Sequence, residues 1–212
     1  HDMHILVVDD NSPDGTADAV RSEASAWPNL HMITGTKQGL GAAYIRGMNH
    51  AIKELKTDAV MEMDADFSHK PGDVPRLIAA LDEGANFAIG SRYVPGGKIP
   101  DDWSFLRRMI SKWGNVFARY VAGMYKVKDC TAGFRATRAP LIRKIDLNEL
   151  KVKGYAFQIS LLHEAILNHA VVREIPVEFV DRTRGETKLG PSDIIEFMLN
   201  AWWIRFERSK TF

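Results

Sequence analysis

Short apolar runs, each broken by a cluster of polar and glycine residues, recur along the first half of the chain. HILVV at 4–8, then 30–34, 59–63 and 86–90, have the length and unbroken apolar character of strands in a parallel sheet. The segments between them have a helical period. Residues 16–26 follow a turn-rich stretch, and a second helix opens at Gly39-Leu40-Gly41-Ala42-Ala43 with Tyr44, Ile45, Met48, Ile52 and Leu55 on its apolar side. A third starts after Pro71 and places Val74, Leu77, Ile78 and Leu81 on one face. This alternation predicts an α/β fold with a mostly parallel sheet and helices on both faces.

The second half is less regular. Residues 105–121 have a helical pattern, and 129–136 read as a turn entering a strand. A helix is expected over 154–168, and a strand over 171–180 that Pro176 marks as edge or bulged. A charged loop at 181–189 precedes an amphipathic terminal helix at 192–208.

The chain is organised around DAVMEMDADFSHKP, residues 58–71, where a strand predicted to be buried on both faces turns into a cluster of acids. Asp64 and Asp66 sit at the carboxyl end of that strand, the edge at which open α/β sheets bind ligands. Separated by one residue, the two carboxylates can turn toward one point, where each raises the other's pKa. A hard divalent cation, Mg²⁺ or Mn²⁺, removes that conflict and keeps positions open for substrate phosphates. A plain surface turn, where Asp is common, remains the alternative at this stage.

Composition narrows the picture. The 212 residues, 45% hydrophobic and 26% charged, suit one large domain. A net charge of +1 supplies no global field for nucleic acid, so no nucleic-acid partner is expected. The single cysteine, Cys130, cannot form an intrachain disulfide and fits a reducing, cytoplasmic setting. No signal peptide and no apolar run of about 18 residues or more is visible, so no span is predicted.

Eight segments in order resemble inverting glycosyltransferases of the GT-A type in family 2, most closely the dolichyl-phosphate and polyprenyl-phosphate mannose synthases. They are VVDDNSPDGT from Val7, GLGAAY from Gly39, MDADFSH from Met63, GSRYVPGG from Gly90, the helix with Arg107 and Ser111, DCTAGFRA from Asp129, GYAFQ from Gly154, and FVDRTRGETKLG from Phe179. The resemblance implies a GT-A, Rossmann-like fold, a GDP-mannose donor and a polyprenyl or dolichyl phosphate acceptor. It places Asp9, Asp10 and Gly39 with the donor nucleotide, and a metal on Asp64 and Asp66 with Ser68 as a further oxygen ligand. Arg92, Arg107, Arg184 and Lys188 are implied around the acceptor phosphate or the diphosphate, with Ser111 adding a hydrogen bond and Asp129 positioning sugar or acceptor. Arginine suits such a place because its planar fork binds phosphate oxygens bidentately.

A lipid monophosphate is already an anionic nucleophile at neutral pH, so no general base is expected and none of the seven histidines is assigned one. A glucosyltransferase using UDP-glucose is the nearest alternative, and a receiver domain of the response-regulator type a distant one suggested by ILVVDDN. Family members place a strand and a nucleotide loop before the VVDD strand, and both are expected to be missing here. Trp202 and Trp203 beside Arg205, Arg208 and Lys210 suit a membrane interface. The expectation is therefore peripheral contact with the cytoplasmic face of a membrane at the end of this helix, and a small membrane-protein partner is a further possibility. Packing of Ile194, Ile195 and Met198 on the domain is the competing reading of its earlier part.

Overall fold

The computed structural model describes residues 1–150, 154–181 and 191–207. The first half alternates as its apolar period predicts: β1 (Ile5–Asp9), α1 (Thr16–Ala24), β2 (Leu30–Thr34), α2 (Leu40–Lys53), β3 (Ala59–Glu62), α3 (Val74–Asp82) and β4 (Phe87–Ser91). Then come α4 (Phe105–Val121), β5 (Arg135–Arg138), the short α5 (Ala139–Ile142), α6 (Gly154–Leu167), β6 (Val172–Pro176) and α7 (Pro191–Glu207). Ser104 starts α4 by accepting the Arg107 N–H on its side chain, which satisfies one orphan donor of the first turn.

β1 and β2 form a parallel two-stranded sheet, and the remaining strands form a second sheet in the order β3-β5-β4-β6. β5 runs antiparallel to both β3 and β4, whereas β4 and β6 are parallel, so β3, β4 and β6 share one direction and β5 alone opposes them. Pro176 closes β6 at the sheet edge, where a missing N–H costs no ladder bond.

β4 is the centre of the core, with every residue buried. Successive side chains alternate between faces. Phe87 and Ile89 enter a cluster with Phe157, Leu161, Leu162, Ala201 and Ile204, contributed by α6 and α7. Ala88 enters another with Leu77, Ala80 and Leu81 of α3. Helices therefore cover both faces here, and burying each large apolar side chain contributes about 1.5–3 kcal/mol.

The same is not true of β3. Its predicted burial on both faces is corrected: Ala59, Val60 and Met61 are only half-buried, and the one buried position is the charged Glu62. β3 lies at the edge of its sheet, paired only with β5, and β1 is paired only with β2 among the described residues. α2 packs against both strands. Gly47 allows it to approach β1, since a Cβ there would lie 3.0 Å from the Val8 side chain.

α7 packs by face, not by end. Ala201 and Ile204 are buried and Trp203 packs on the core, whereas Ile195, Met198, Leu199, Trp202 and Phe206 are exposed. The split expected from sequence, core early and interface late, is thus replaced by two faces of one helix. Arg208 and Lys210 lie outside the described residues. No helix among the described residues is long and apolar enough to cross a membrane.

Candidate active site

The carboxyl ends of β3 and β4 open into a cleft of about 530 Å³, lined among others by Tyr44, Asp64, Asp66, His69, Arg92, Thr131 and Gln158. That volume suits a small organic ligand, and the position is the one expected for an open α/β sheet. β5 supplies the floor, because the turn that leads into it carries Thr131, Ala132 and Gly133.

Both acids are held by hydrogen bonds. The Tyr44 hydroxyl donates to Asp64 Oδ1 at 3.0 Å, and the Asp64 N–H donates to His69 Nδ1 at 3.1 Å. The Ser68 N–H donates to Asp66 Oδ1 at 3.0 Å. That return of the chain passes through Phe67, whose φ of 63° lies in the left-handed region that non-glycine residues seldom occupy. Burial pushes the Tyr44 hydroxyl far above its ordinary pKa, and neighbouring Asp64 adds to this, so it remains a donor.

His69 stacks on Phe134 at 5.0 Å and meets Phe179 edge-on at 5.6 Å. Burial lowers its pKa although Asp64 and Asp66 act in the opposite direction. The ring is neutral, and since Nδ1 accepts from Asp64 its proton resides on Nε2.

Behind the acids lies a buried polar group. Glu62 faces Arg135 across the β3–β5 ladder. Gln158 Nε2 donates to Glu62 Oε2 at 2.8 Å, and Arg135 donates to the carbonyls of Gln158 at 2.6 Å and Cys130 at 2.7 Å. Burial raises the Glu62 carboxyl to about 7, against the opposing effects of Arg135 and Gln158. Glu62 Oε1, Arg135 Nε and Gln158 Oε1 have no hydrogen-bond partner among the described residues.

Of the basic residues singled out in the sequence, Arg92 reaches the cleft, and it is bound to the protein. Its Nε and Nη2 donate to the two oxygens of Asp129, each at 2.7 Å, and Nη2 also reaches Thr131 Oγ1 at 2.9 Å. Burial works to raise the Asp129 carboxyl, yet the Arg92 guanidinium and its hydrogen bonds outweigh it and hold the group below the usual range. Asp129 is fully buried, and both of its carboxylate oxygens hold the Arg92 guanidinium in place.

The other predicted positions are dispersed. Arg107 grips Asp181 through two hydrogen bonds, at 2.7 and 3.2 Å, with its guanidinium 4.0 Å from the Trp103 ring centre. Ser111 accepts from the Tyr93 hydroxyl at 2.7 Å. Asp9 accepts the Ser12 N–H, and Asp10 pairs with Arg46. Gly39, with φ of +102°, starts α2 and brings its neighbour Leu40 to the cleft. Ser68 is buried and gives its N–H to Asp66. Arg184 and Lys188 lie outside the described residues.

Tyr44, His69, Thr131 and Gln158 were missed as site residues. Their signals were present, since Tyr44 ends GLGAAY and Gln158 ends GYAFQ, but helical periodicity assigns Tyr44 to an apolar face. The donor set fits a hard divalent cation. No cluster of three or more His, Cys, Asp or Glu exists among the described residues, as a closed metal cage would need. Two carboxylates on one cleft are what Mg²⁺ or Mn²⁺ uses when water and phosphate complete its shell.

The profile of Glycosyl transferase family 2 matches residues 1–146. The chain is 44% identical over 207 residues to polyprenol monophosphomannose synthase of Mycolicibacterium smegmatis, spanning 96% of this chain and 77% of that protein. It is 42% identical to undecaprenyl-phosphate mannosyltransferase of Micrococcus luteus, spanning 93% of this chain and 80% of that protein. With dolichol-phosphate mannosyltransferase of Pyrococcus furiosus it shares 37% identity over 93% of its own length and 54% of the relative's. Among solved structures, glucosyl-3-phosphoglycerate synthase from Mycobacterium tuberculosis, in complex with Mn²⁺, uridine diphosphate and glucosyl-3-phosphoglycerate, superposes with a TM-score of 0.63. That match has 16% identity and spans 95% of this chain and 66% of the other.

Proposed function

Because the chain belongs to Glycosyl transferase family 2, we propose that its cleft transfers mannose from GDP-mannose to a polyprenyl or dolichyl monophosphate, with inversion at the anomeric carbon. The observation that carries this reading is the pair Asp64 and Asp66 facing one cleft beside Arg92, in a chain whose similar proteins are named for mannosyl transfer to lipid phosphates. An oxygen of the acceptor phosphate attacks the anomeric carbon. The bond from that carbon to the nucleoside diphosphate breaks, and the leaving group departs with the electron pair. The attacking oxygen is already anionic, so no proton moves, consistent with a His69 ring fixed by Asp64 and closed in by aromatic rings. When bound, Mg²⁺ or Mn²⁺ on Asp64 and Asp66 neutralises charge on the departing diphosphate. Arg92, fixed by Asp129, adds an oriented cation without reorganisation.

The test is a thermal-shift and transfer assay with GDP-mannose and with UDP-glucose, each with Mn²⁺. Stabilisation and transfer are expected with GDP-mannose. Asp66→Asn is expected to abolish both while changing the stability of the free protein by less than about 1 kcal/mol. Response to the uridine donor alone makes the protein a glucosyltransferase.

Peripheral docking on the cytoplasmic face of a membrane completes this proposal, because the acceptor is a lipid. α4 and α7 pack together, with Gly114 facing Phe197, and both keep large apolar side chains exposed: Phe105, Leu106 and Trp113 on α4, Leu199, Trp202 and Phe206 on α7. Apolar side chains beside the basic Arg108 and Lys112 suit an anionic interface. Flotation with anionic vesicles at low salt is expected, and weaker flotation of Leu199→Ala/Trp202→Ala at unchanged Tm. Vesicle binding equal to the original protein removes this face as the contact and favours a membrane-protein partner.

A further inference from the structure

The two acids of the cleft have four carboxylate oxygens, and the protein's own hydrogen bonds divide them evenly. Oδ1 of Asp64 accepts from the Tyr44 hydroxyl, and Oδ1 of Asp66 accepts from the Ser68 N–H. Neither Oδ2 accepts a hydrogen bond from any described residue, and both acids line the cleft. Asp64 Oδ2 lies beside Gly133, 3.8 Å from the place a Cβ would occupy, so the absent side chain leaves space next to this oxygen.

The two restraints differ in kind. The one on Asp66 is local, coming from backbone two residues away. The one on Asp64 comes from another element, twenty residues away in sequence. Tyr44 belongs to α2, and its ring stacks on Phe157 of α6 with centroids 5.5 Å apart and planes 11° from parallel. Phe157 is fully buried in the main core. The Tyr44 hydroxyl therefore reaches Asp64 from a ring fixed by the interior, while the His69 ring holds the Asp64 N–H from the other side.

We propose that Tyr44 is a positioning residue for the divalent cation: by occupying Oδ1 it fixes the rotation of the Asp64 carboxylate and presents Oδ2 as its single metal-binding oxygen. This rests on the reading that Asp64 and Asp66 hold the cation. Without the hydroxyl the carboxylate rotates freely and must be ordered at the moment of binding, so the consequence is weaker metal affinity with an intact fold. Groups that orient metal ligands typically alter affinity by about 10- to 100-fold when removed.

Tyr44→Phe is the informative variant because it deletes the hydroxyl and keeps the stacked ring. Free Mn²⁺ is followed by its paramagnetic resonance signal in titrations of the original protein, Tyr44→Phe and Asp66→Asn, each with GDP present, and Tm is recorded without metal. The expected result is a Mn²⁺ dissociation constant raised about tenfold in Tyr44→Phe, with an unchanged metal-free Tm and transfer recovered at high Mn²⁺. Asp66→Asn is expected to bind no Mn²⁺ in this range. A Tyr44→Phe constant within twofold of the original overturns the inference, and so does a metal-free Tm that falls in parallel with affinity, which assigns Tyr44 to the core alone. If Asp66→Asn binds as the original does, or the original binds no Mn²⁺, the metal reading itself is wrong.

Discussion

β1 and β4 make an instructive pair. β1 reads ILVVD and is the more apolar of the two, yet its only buried residue is Asp9, and Ile5 is 62% exposed. β4 reads FAIGS and is buried throughout. The difference lies in what surrounds them. β4 has a strand on each side and a helix layer on each face, whereas among the described residues β1 has β2 on one side only, and its neighbour α1 buries no residue at all. Apolar character marks a segment as a strand, but coverage decides what that strand contributes.

The comparison is most directly tested by truncating one side chain in each strand. Phe87→Ala is expected to cost about 3–5 kcal/mol in urea unfolding, since a filled interior cannot close over the void. Leu6→Ala, on half-covered β1, should cost less than about 1 kcal/mol. A Leu6→Ala cost equal to that of Phe87→Ala would mean that β1 is covered in solution as fully as β4.

A smaller effect sharpens the contrast from inside the four-stranded sheet. Glu62 is the one buried residue of β3, and burial raises its carboxyl to about 7 from an ordinary value of 4.5. The folded chain thus keeps this proton where the unfolded chain has lost it. Stability from this group declines as pH rises from 4.5 to about 7 and stays lowered above that, by about 3 kcal/mol. Glu62→Gln should flatten this part of the profile, read as Tm at pH 5 and pH 8. Parallel profiles for the two proteins would show that Glu62 ionises in the fold as it does in water.

Much of the architecture was legible because periodicity carries it. The helix at 105–121 and the strand at 30–34 were placed to the residue, and a terminal helix was expected from 192 and begins at Pro191. Asp64 and Asp66 were legible because a strand end and a spaced pair of acids coincide within one short stretch. Partnerships formed across the chain were not legible. Arg92 and Asp129 are thirty-seven residues apart, and nothing local indicates that an arginine suited to phosphate is already clasped by a buried carboxylate. Tyr44 obeys the apolar period of α2, so its hydroxyl gave no sign of reaching Asp64. In α7 the run IIEFMLNAWWIRF has apolar residues on every side, and only packing separates Ala201 and Ile204 from Leu199 and Trp202.

The lane that β5 occupies has a consequence for synthesis on the ribosome. β3 and β4 emerge first, yet in the finished sheet they are kept apart by a strand that leaves the tunnel later, after the whole of α4. A nascent chain that ends before Arg135 already contains both acids of the cleft and has nothing to lie between these two strands. Such pairings, distant in sequence, form slowly and leave strand edges open in the interval. Of the two strands left open in that interval, β4 is the one that ends buried throughout.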